Sequence, residues 1–211
     1  MKKIIYLVSV TLTAFMFSAC TQSATEESFE GDSIQIVTSE DLVIENIMSR
    51  RSIRQFTNDT IPAAQIEKIL RAGFAAPTAM NRQPWAIEVV NDTTLLRQMS
   101  TELPYGRLET AAVAFIVLGD MERTIEGDGR DFWVVDCSLM AENMMLAANA
   151  MGIGSCFTGV WPGTDRADII RKHLNIPSKY EVLGMIPMGY PAENPDVKDK
   201  WRAEAVHYNA W

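Results

Sequence analysis

Three guanidiniums and a hydroxyl fall within five residues, at Arg50, Arg51, Ser52 and Arg54 in the stretch RRSIRQF. An arginine fork matches two phosphate oxygens at once, so this group could clamp a phosphate. The same composition suits a solvated basic helix end, which the helix dipole favours, and taken alone that blander reading prevails. Lys200 and Arg202, in KDKWR near the C-terminus, could add charge to the same anion if the chain returns there. The second grouping is of amides. APTAMNRQPW, residues 76–85, sets Asn81 and Gln83 between Pro77 and Pro84 and closes on Trp85. Two prolines and a large aromatic stiffen a loop and aim its amides, and an amide offers donor and acceptor to a planar polar ligand.

Other chemistry is poorly provided for. The two histidines, His173 and His207, have no Cys or acidic neighbours at ligand spacing, so no metal site is expected. No nucleophile elbow is present. GDGRDF and GIGSCFTG are glycine-rich, but neither is a dinucleotide fingerprint. The first does not follow a strand directly, and the second precedes a strand instead of opening a helix. Cys137 and Cys156 remain after Cys20; they could pair in an oxidising compartment, but their apolar surroundings favour buried free thiols. Poverty of this kind fits an enzyme whose cofactor does the chemistry, and no side chain is assigned as catalytic.

The 211 residues are 47% hydrophobic and 22% charged, without internal repeats, and can bury one core of ordinary size. MKKIIYLVSVTLTAFMFSAC opens the chain with two lysines, an apolar run from Ile4 to Phe17, and then Ser18, Ala19 and Cys20. This is a signal peptide, not a membrane span. A Cys directly after small residues resembles a bacterial lipoprotein signal, with cleavage before Cys20 and lipid on its sulfur; a plain secretory signal is the lesser reading. The expected division is a signal peptide over 1–19, a polar disordered tether over 20–33 and one folded domain over 34–211. The expected place is the bacterial cell envelope, lipid-anchored outside the cytoplasmic membrane. Loss of Lys2 and Lys3 takes the net charge from −8 to near −10 (−8 minus 2). An acidic chain of this kind is not a partner for nucleic acid, which needs a basic face.

The elements that must position these residues alternate along the chain. TSEDLVIENIMSR offers Thr38 or Ser39 as a helix cap, with Leu42, Ile44, Ile47 and Met48 as an apolar face. IPAAQIEKILRAGFAAP reads as a helix stopped before Pro77, WAIEVVND as a strand and turn, and TTLLRQMSTEL as a short helix. AAVAFIVLGD is a continuous apolar run, as in a central strand buried on both faces. A long apolar helix is predicted from about Val135 to Met151; it is either the centre of the core or a homodimer interface. IGSCFTG is strand-like, DRADIIRKHLNIP a helix ending before Pro177, EVLGMIPMGYP a strand, and the tail polar with isolated aromatics. The class is α/β or α+β with one main sheet.

RRSIRQF, then ILRAGFAAPTAMNRQPW, then AENMMLAANAMGIGSCFTG and PMGYPAE before a basic tail, in that order and spacing, resemble the FMN-dependent nitroreductase family over about Asp41 to Trp211. The resemblance implies an α+β fold, a mixed sheet surrounded by helices, in an intertwined homodimer with FMN sites at the interface. It implies that Asn81, with Pro77 and Gln83 in the same loop, reads the flavin edge, with Pro84 biasing Gln83 to an extended backbone. Arg50, Arg51, Ser52 and Arg54 would hold the phosphate and ribityl chain, and Lys200 and Arg202 would complete the phosphate site. Thr158 and Gly159 would face the flavin's reactive nitrogen. The implied activity passes electrons from NAD(P)H or another donor to a nitroaromatic, quinone or similar flat acceptor, with the stretch from Gly119 to Trp133 as a pocket wall. A lipoprotein that binds flavin or another ligand without turnover is the alternative.

Overall fold

The computed structural model describes residues 38–211. The expected signal peptide, Cys20 and its lipid, the tether and the domain start near Ile34 lie outside the described residues.

Thr38 caps the first helix, α1 (Ser39–Ser49), in a reciprocal box with Asp41. No residue of α1 is buried. Leu42, Val43, Ile44, Ile47 and Met48 face outward, so the expected apolar face is present but uncovered. Amides hold α1 in place: Asn46 Nδ2 donates to Leu146 O at 3.0 Å, and Asn149 Nδ2 donates to Asn46 O at 3.0 Å.

Helix α2 (Ala63–Phe74) starts after Pro62, and strand β1 (Trp85–Val90) follows the amide loop. Asp92 caps α3 (Thr93–Glu102) by accepting from Thr94 and Leu95 N–H. Strand β2 (Val113–Asp120) has all eight residues buried. Helix α4 (Phe132–Ala150) begins three residues before the expected Val135. Two short strands follow, β3 (Gly154–Ser155) and β4 (Thr158–Gly159), then α5 (Thr164–Leu174) and β5 (Tyr180–Gly189).

The sheet runs β1-β2-β5-β3, with β4 also on β5. Every named pairing is antiparallel, and the parallel component of the expected mixed sheet is a single bridge, Ser52 to Ser155. β2 sends alternate side chains to opposite faces. Ala114, Ile116 and Leu118 pack with Leu96 and Met99 of α3 and Ile170 of α5. Val113, Phe115 and Val117 pack with Ile69 of α2 and Met140 and Met144 of α4. Each fully buried large side chain here contributes roughly 1.5–3 kcal/mol over its exposed state. The fold is therefore α+β, with helices on both faces of one sheet.

The long apolar helix is a core helix on one side and exposes apolar side chains on the other. Met140, Ala141, Met144 and Ala148 of α4 are buried in the core, while Phe132, Val135 and Leu139 form an outward stripe. Trp133 is 1% exposed; it fills the space beside Gly119, where a Cβ would lie 2.3 Å from Trp133 Cε3. It meets the Trp161 ring edge-on at 5.1 Å. Trp133 is thus a core residue, while Phe132 beside it stays half exposed.

Candidate functional site

The chain leaves α1 extended at Arg50. Ile53 N–H donates to Ser155 O at 2.9 Å, next to the Ser52 to Ser155 bridge. Ile53 and Phe56 turn inward and are buried, which leaves Arg54 outside. The segment after β5 then runs alongside. Thr57 N–H donates to Tyr190 O at 2.8 Å, Ala192 N–H to Gln55 O at 3.0 Å, and Phe56 bridges Pro191. The Glu193 carboxylate accepts from the backbone N–H of Arg54 and, at 3.2 Å, of Gln55. Asn194 Oδ1 accepts from Arg51 Nη2. A cavity of about 240 Å³ results, lined by Arg50, Arg51, Ser52, Arg54, Lys198 and Lys200, with Pro195 and Asp196 at its side.

Five of the expected residues thus meet in one place. Arg202 does not line this cavity and is exposed; the chain turns at 203–205 beyond it. Lys198 does line it and was not anticipated. Its signal was the alternation of Lys198 and Lys200 in VKDKWR, which puts two ammonium groups on one side of an extended chain. Glu142 was also not anticipated: its Oε1 lies 3.1 Å from Arg50 Nε. Arg51 is the most telling member. Its Nη1 donates to Ser49 O at 3.3 Å, yet its Nε is buried with no hydrogen-bond partner among the described residues. A buried charged N–H left unsatisfied costs about 1–3 kcal/mol or more. The five cations around the cavity, Arg50, Arg51, Arg54, Lys198 and Lys200, would attract a phosphate.

The amide loop is a separate structure. After the extended Thr78, a turn at Ala79–Asn81 puts Met80, Asn81 and Gln83 in the left-handed region, with φ of 52°, 54° and 49°. Each such residue costs on the order of 1–3 kcal/mol unless its surroundings enforce it. Pro84 does not hold Gln83 extended, as the sequence led us to expect. Gln83 N–H donates instead to Thr78 Oγ1 at 3.1 Å and its Nε2 to Asn81 Oδ1 at 2.9 Å, and these bonds select the left-handed form. Pro77, Asn81 and Gln83 are exposed. Asp136, a lone carboxylate in the apolar face of α4, accepts from Ala79 N–H at 2.9 Å. An acid inside VVDCSLM was the available signal for it.

Thr158 and Gly159 form a third patch, paired with Met185 and Gly184 of β5. Thr158 lines a small hollow of about 150 Å³ with Tyr105, Arg166 and Met185. A larger hollow of about 740 Å³, between the 57–60 stretch, α3 and residues 109–112, touches none of the expected residues. One chain therefore gathers the cationic cavity by itself and leaves the amide loop and the Thr158 loop as open surfaces. Cys137 and Cys156 are both buried and unpaired. Among the described residues no three His, Cys, Asp or Glu cluster as metal ligands, and no helix is long and apolar enough to cross a membrane.

A sequence model of the nitroreductase family matches residues 47–103 and 95–190, which take in the arginine cluster, the amide loop and the Thr158 loop. The chain belongs to the nitroreductase family. A relative from Methanothermobacter thermautotrophicus, provisionally named an NADH dehydrogenase/NAD(P)H nitroreductase, is 39% identical over 171 residues, covering 80% of this chain and 87% of that protein. A crystal structure under the same provisional name from Bacteroides thetaiotaomicron is 36% identical with a TM-score of 0.75, covering 80% of this nitroreductase chain and 98% of that one. A structure named as an FMN-dependent nitroreductase from Clostridium difficile R20291 is 29% identical with a TM-score of 0.71, covering 80% and 99% of the two chains.

Proposed function

We propose that this nitroreductase is an FMN-dependent oxidoreductase that takes electrons from NAD(P)H or another reduced donor and passes them to a nitroaromatic, a quinone or a similar flat acceptor. The gathering of Arg50, Arg51, Arg54, Lys198 and Lys200 around one cavity carries the reading. Arg50, Arg51, Ser52, Arg54 and Lys200 would hold the FMN phosphate and ribityl chain. Asn81 would read the ring edge, and the backbone at Thr158 and Gly159 would face the reactive nitrogen. FMN, when bound, supplies the hydride and electron chemistry. The chain's part is to fix the phosphate, to orient the ring and to keep the acceptor flat against it. Arg202 is the weakest member of the set, since it lies outside the cavity.

A second copy of the chain fits the same reading. The uncovered faces of α1 and α4, and the exposed Trp201, Tyr208 and Trp211 of the tail, are apolar surface that water would not favour. A homodimer would cover them and would bring one chain's open loops to the other's cationic cavity.

For location, the lipid on Cys20 would hold the enzyme outside the cytoplasmic membrane. Nicotinamide nucleotides are scarce there, so a quinol or a membrane redox protein is the donor we favour. Cell fractionation of wild type against Cys20→Ala tests the anchor; equal membrane retention of the two would reject it. The catalytic reading is tested on purified protein. It should be yellow, bleach with a reduced donor and recolour with a nitroaromatic, and Arg51→Ala should be flavin-poor. Wild type that stays colourless in excess FMN would overturn it.

A further inference from the structure

Asp136 is 3% exposed, in a helix whose neighbouring positions are apolar. Its one hydrogen-bond donor among the described residues is the backbone N–H of Ala79, at 2.9 Å. A carboxylate is seldom buried without a task, because desolvation opposes it. The bond reaches across 57 residues, from α4 to the first residue of the left-handed turn.

The turn's shape and its orientation are held by different contacts. The shape is local. Asn81 N–H donates to Thr78 O and Arg82 N–H to Ala79 O, each at 3.1 Å, and Gln83 bonds to Thr78 and Asn81. None of these ties the turn to the body of the protein. At its far end Pro84 O accepts from Asp120 N–H, which fixes the entry to β1. At its near end Asp136 is the buried anchor; the other hydrogen bond from the turn to the rest of the described residues, Arg123 Nε to Arg82 O, is exposed and long at 3.4 Å. Without Asp136 the turn could keep its internal bonds and still swing about Pro84.

We propose that Asp136 is a positioning residue, whose carboxylate grips Ala79 N–H and so presents the Asn81 and Gln83 amides at a set angle to the flavin ring edge. The proposal rests on the reading that Asn81 meets the flavin. Asp136 itself does not touch cofactor or substrate.

The test is a double-mutant cycle on the full folded chain, read by FMN titration and by the visible absorption of the bound flavin. Asp136→Ala should weaken FMN by about tenfold, the size of one lost hydrogen bond to a charged group, and should shift the flavin bands as Asn81→Ala does. Asp136→Asn keeps an oxygen for Ala79 N–H and should restore both readouts. In an Asn81→Ala background, Asp136→Ala should have no further effect, because the two residues then act as one unit. Ala79→Pro removes the donor and leaves Asp136 intact. Thr78 is already extended, as a residue before proline must be, so this variant serves if Asp136→Ala does not fold. A loss on Asp136→Ala that persists undiminished in the Asn81→Ala background would overturn the proposal, as would an unchanged spectrum in Asp136→Ala and Ala79→Pro. If Asn81→Ala alone leaves affinity and spectrum untouched, the flavin-edge reading fails first and the proposal falls with it.

Discussion

Arg50 Nε and Glu142 Oε1 lie 3.1 Å apart, so the first arginine of the cationic cavity already carries a carboxylate on one side. The contact uses the Nε edge and leaves the Nη groups for a second anion. Removing Arg50 alone should therefore do two kinds of harm. It deletes a cation and leaves Glu142 to repel phosphate. Arg50→Ala should weaken FMN binding on the order of 2–5 kcal/mol. Arg50→Ala with Glu142→Ala should bind more tightly than Arg50→Ala alone. Flavin fluorescence titration of the three proteins checks this, and equal weakening in single and double mutants would remove Glu142 from the account.

The uncovered faces of α1 and α4 set a second expectation. Sedimentation should give about twice the mass of one mature chain at low micromolar concentration, as for an interface between apolar faces. Ile44→Asp with Met48→Asp, on the open face of α1, should give monomer with weak flavin binding. Removing residues 200–211 should weaken both dimer and flavin. A flavin-saturated monomer would contradict this expectation.

The packing of Gly119 against Trp133 leaves no room for a methyl group. Gly119→Ala should destabilise the fold by about 1–3 kcal/mol, the usual range for overpacking a filled core. Gly119→Ala with Trp133→Phe should recover part of that loss. Urea melts of the apoprotein give the comparison.

Cys137 supplies a pH signature. Burial, and then the nearby Asp136 carboxylate, push its thiol from 9.0 up to about 12. The folded chain thus holds the thiol proton more tightly than the unfolded chain. That contribution is complete below pH 9 and is lost as the pH rises through about 12. Between pH 9 and 11 the urea midpoint should fall more steeply for wild type than for Cys137→Ala. At pH 8 a disulfide reagent should label this position only after unfolding.

Sequence made the sheet and helices legible where one signal dominated. The apolar run from Val113 to Asp120 read as a strand covered on both sides, and Thr38 or Ser39 announced a helix start, which the structure places at Thr38. The arginine cluster was legible because four functional groups crowd into five residues. Its construction was not. Glu193 and Asn194, which seat Arg54 and Arg51, lie 139 and 143 residues away, and no periodicity links them. Gln83 was misjudged because proline's steric preference was weighed alone. Two hydrogen bonds inside the loop outweigh it. The start of α4 was placed three residues late because the stretch from Gly119 to Trp133 was read as a pocket wall, whereas its last two residues open the helix and Trp133 packs against Gly119 in the core.

The joining of the 50–57 stretch to the 190–194 segment also sets a clock. Synthesis at about 5–20 residues per second places roughly 7–28 s between the emergence of Arg54 and that of Glu193, 139 residues later. Throughout that interval the arginines exist without the segment that seats them. If the cavity holds the FMN phosphate as proposed, cofactor capture would belong to the finished chain, after its last described strand has been made. A chain released early, short of Tyr190, would carry every arginine of the cluster and hold no flavin.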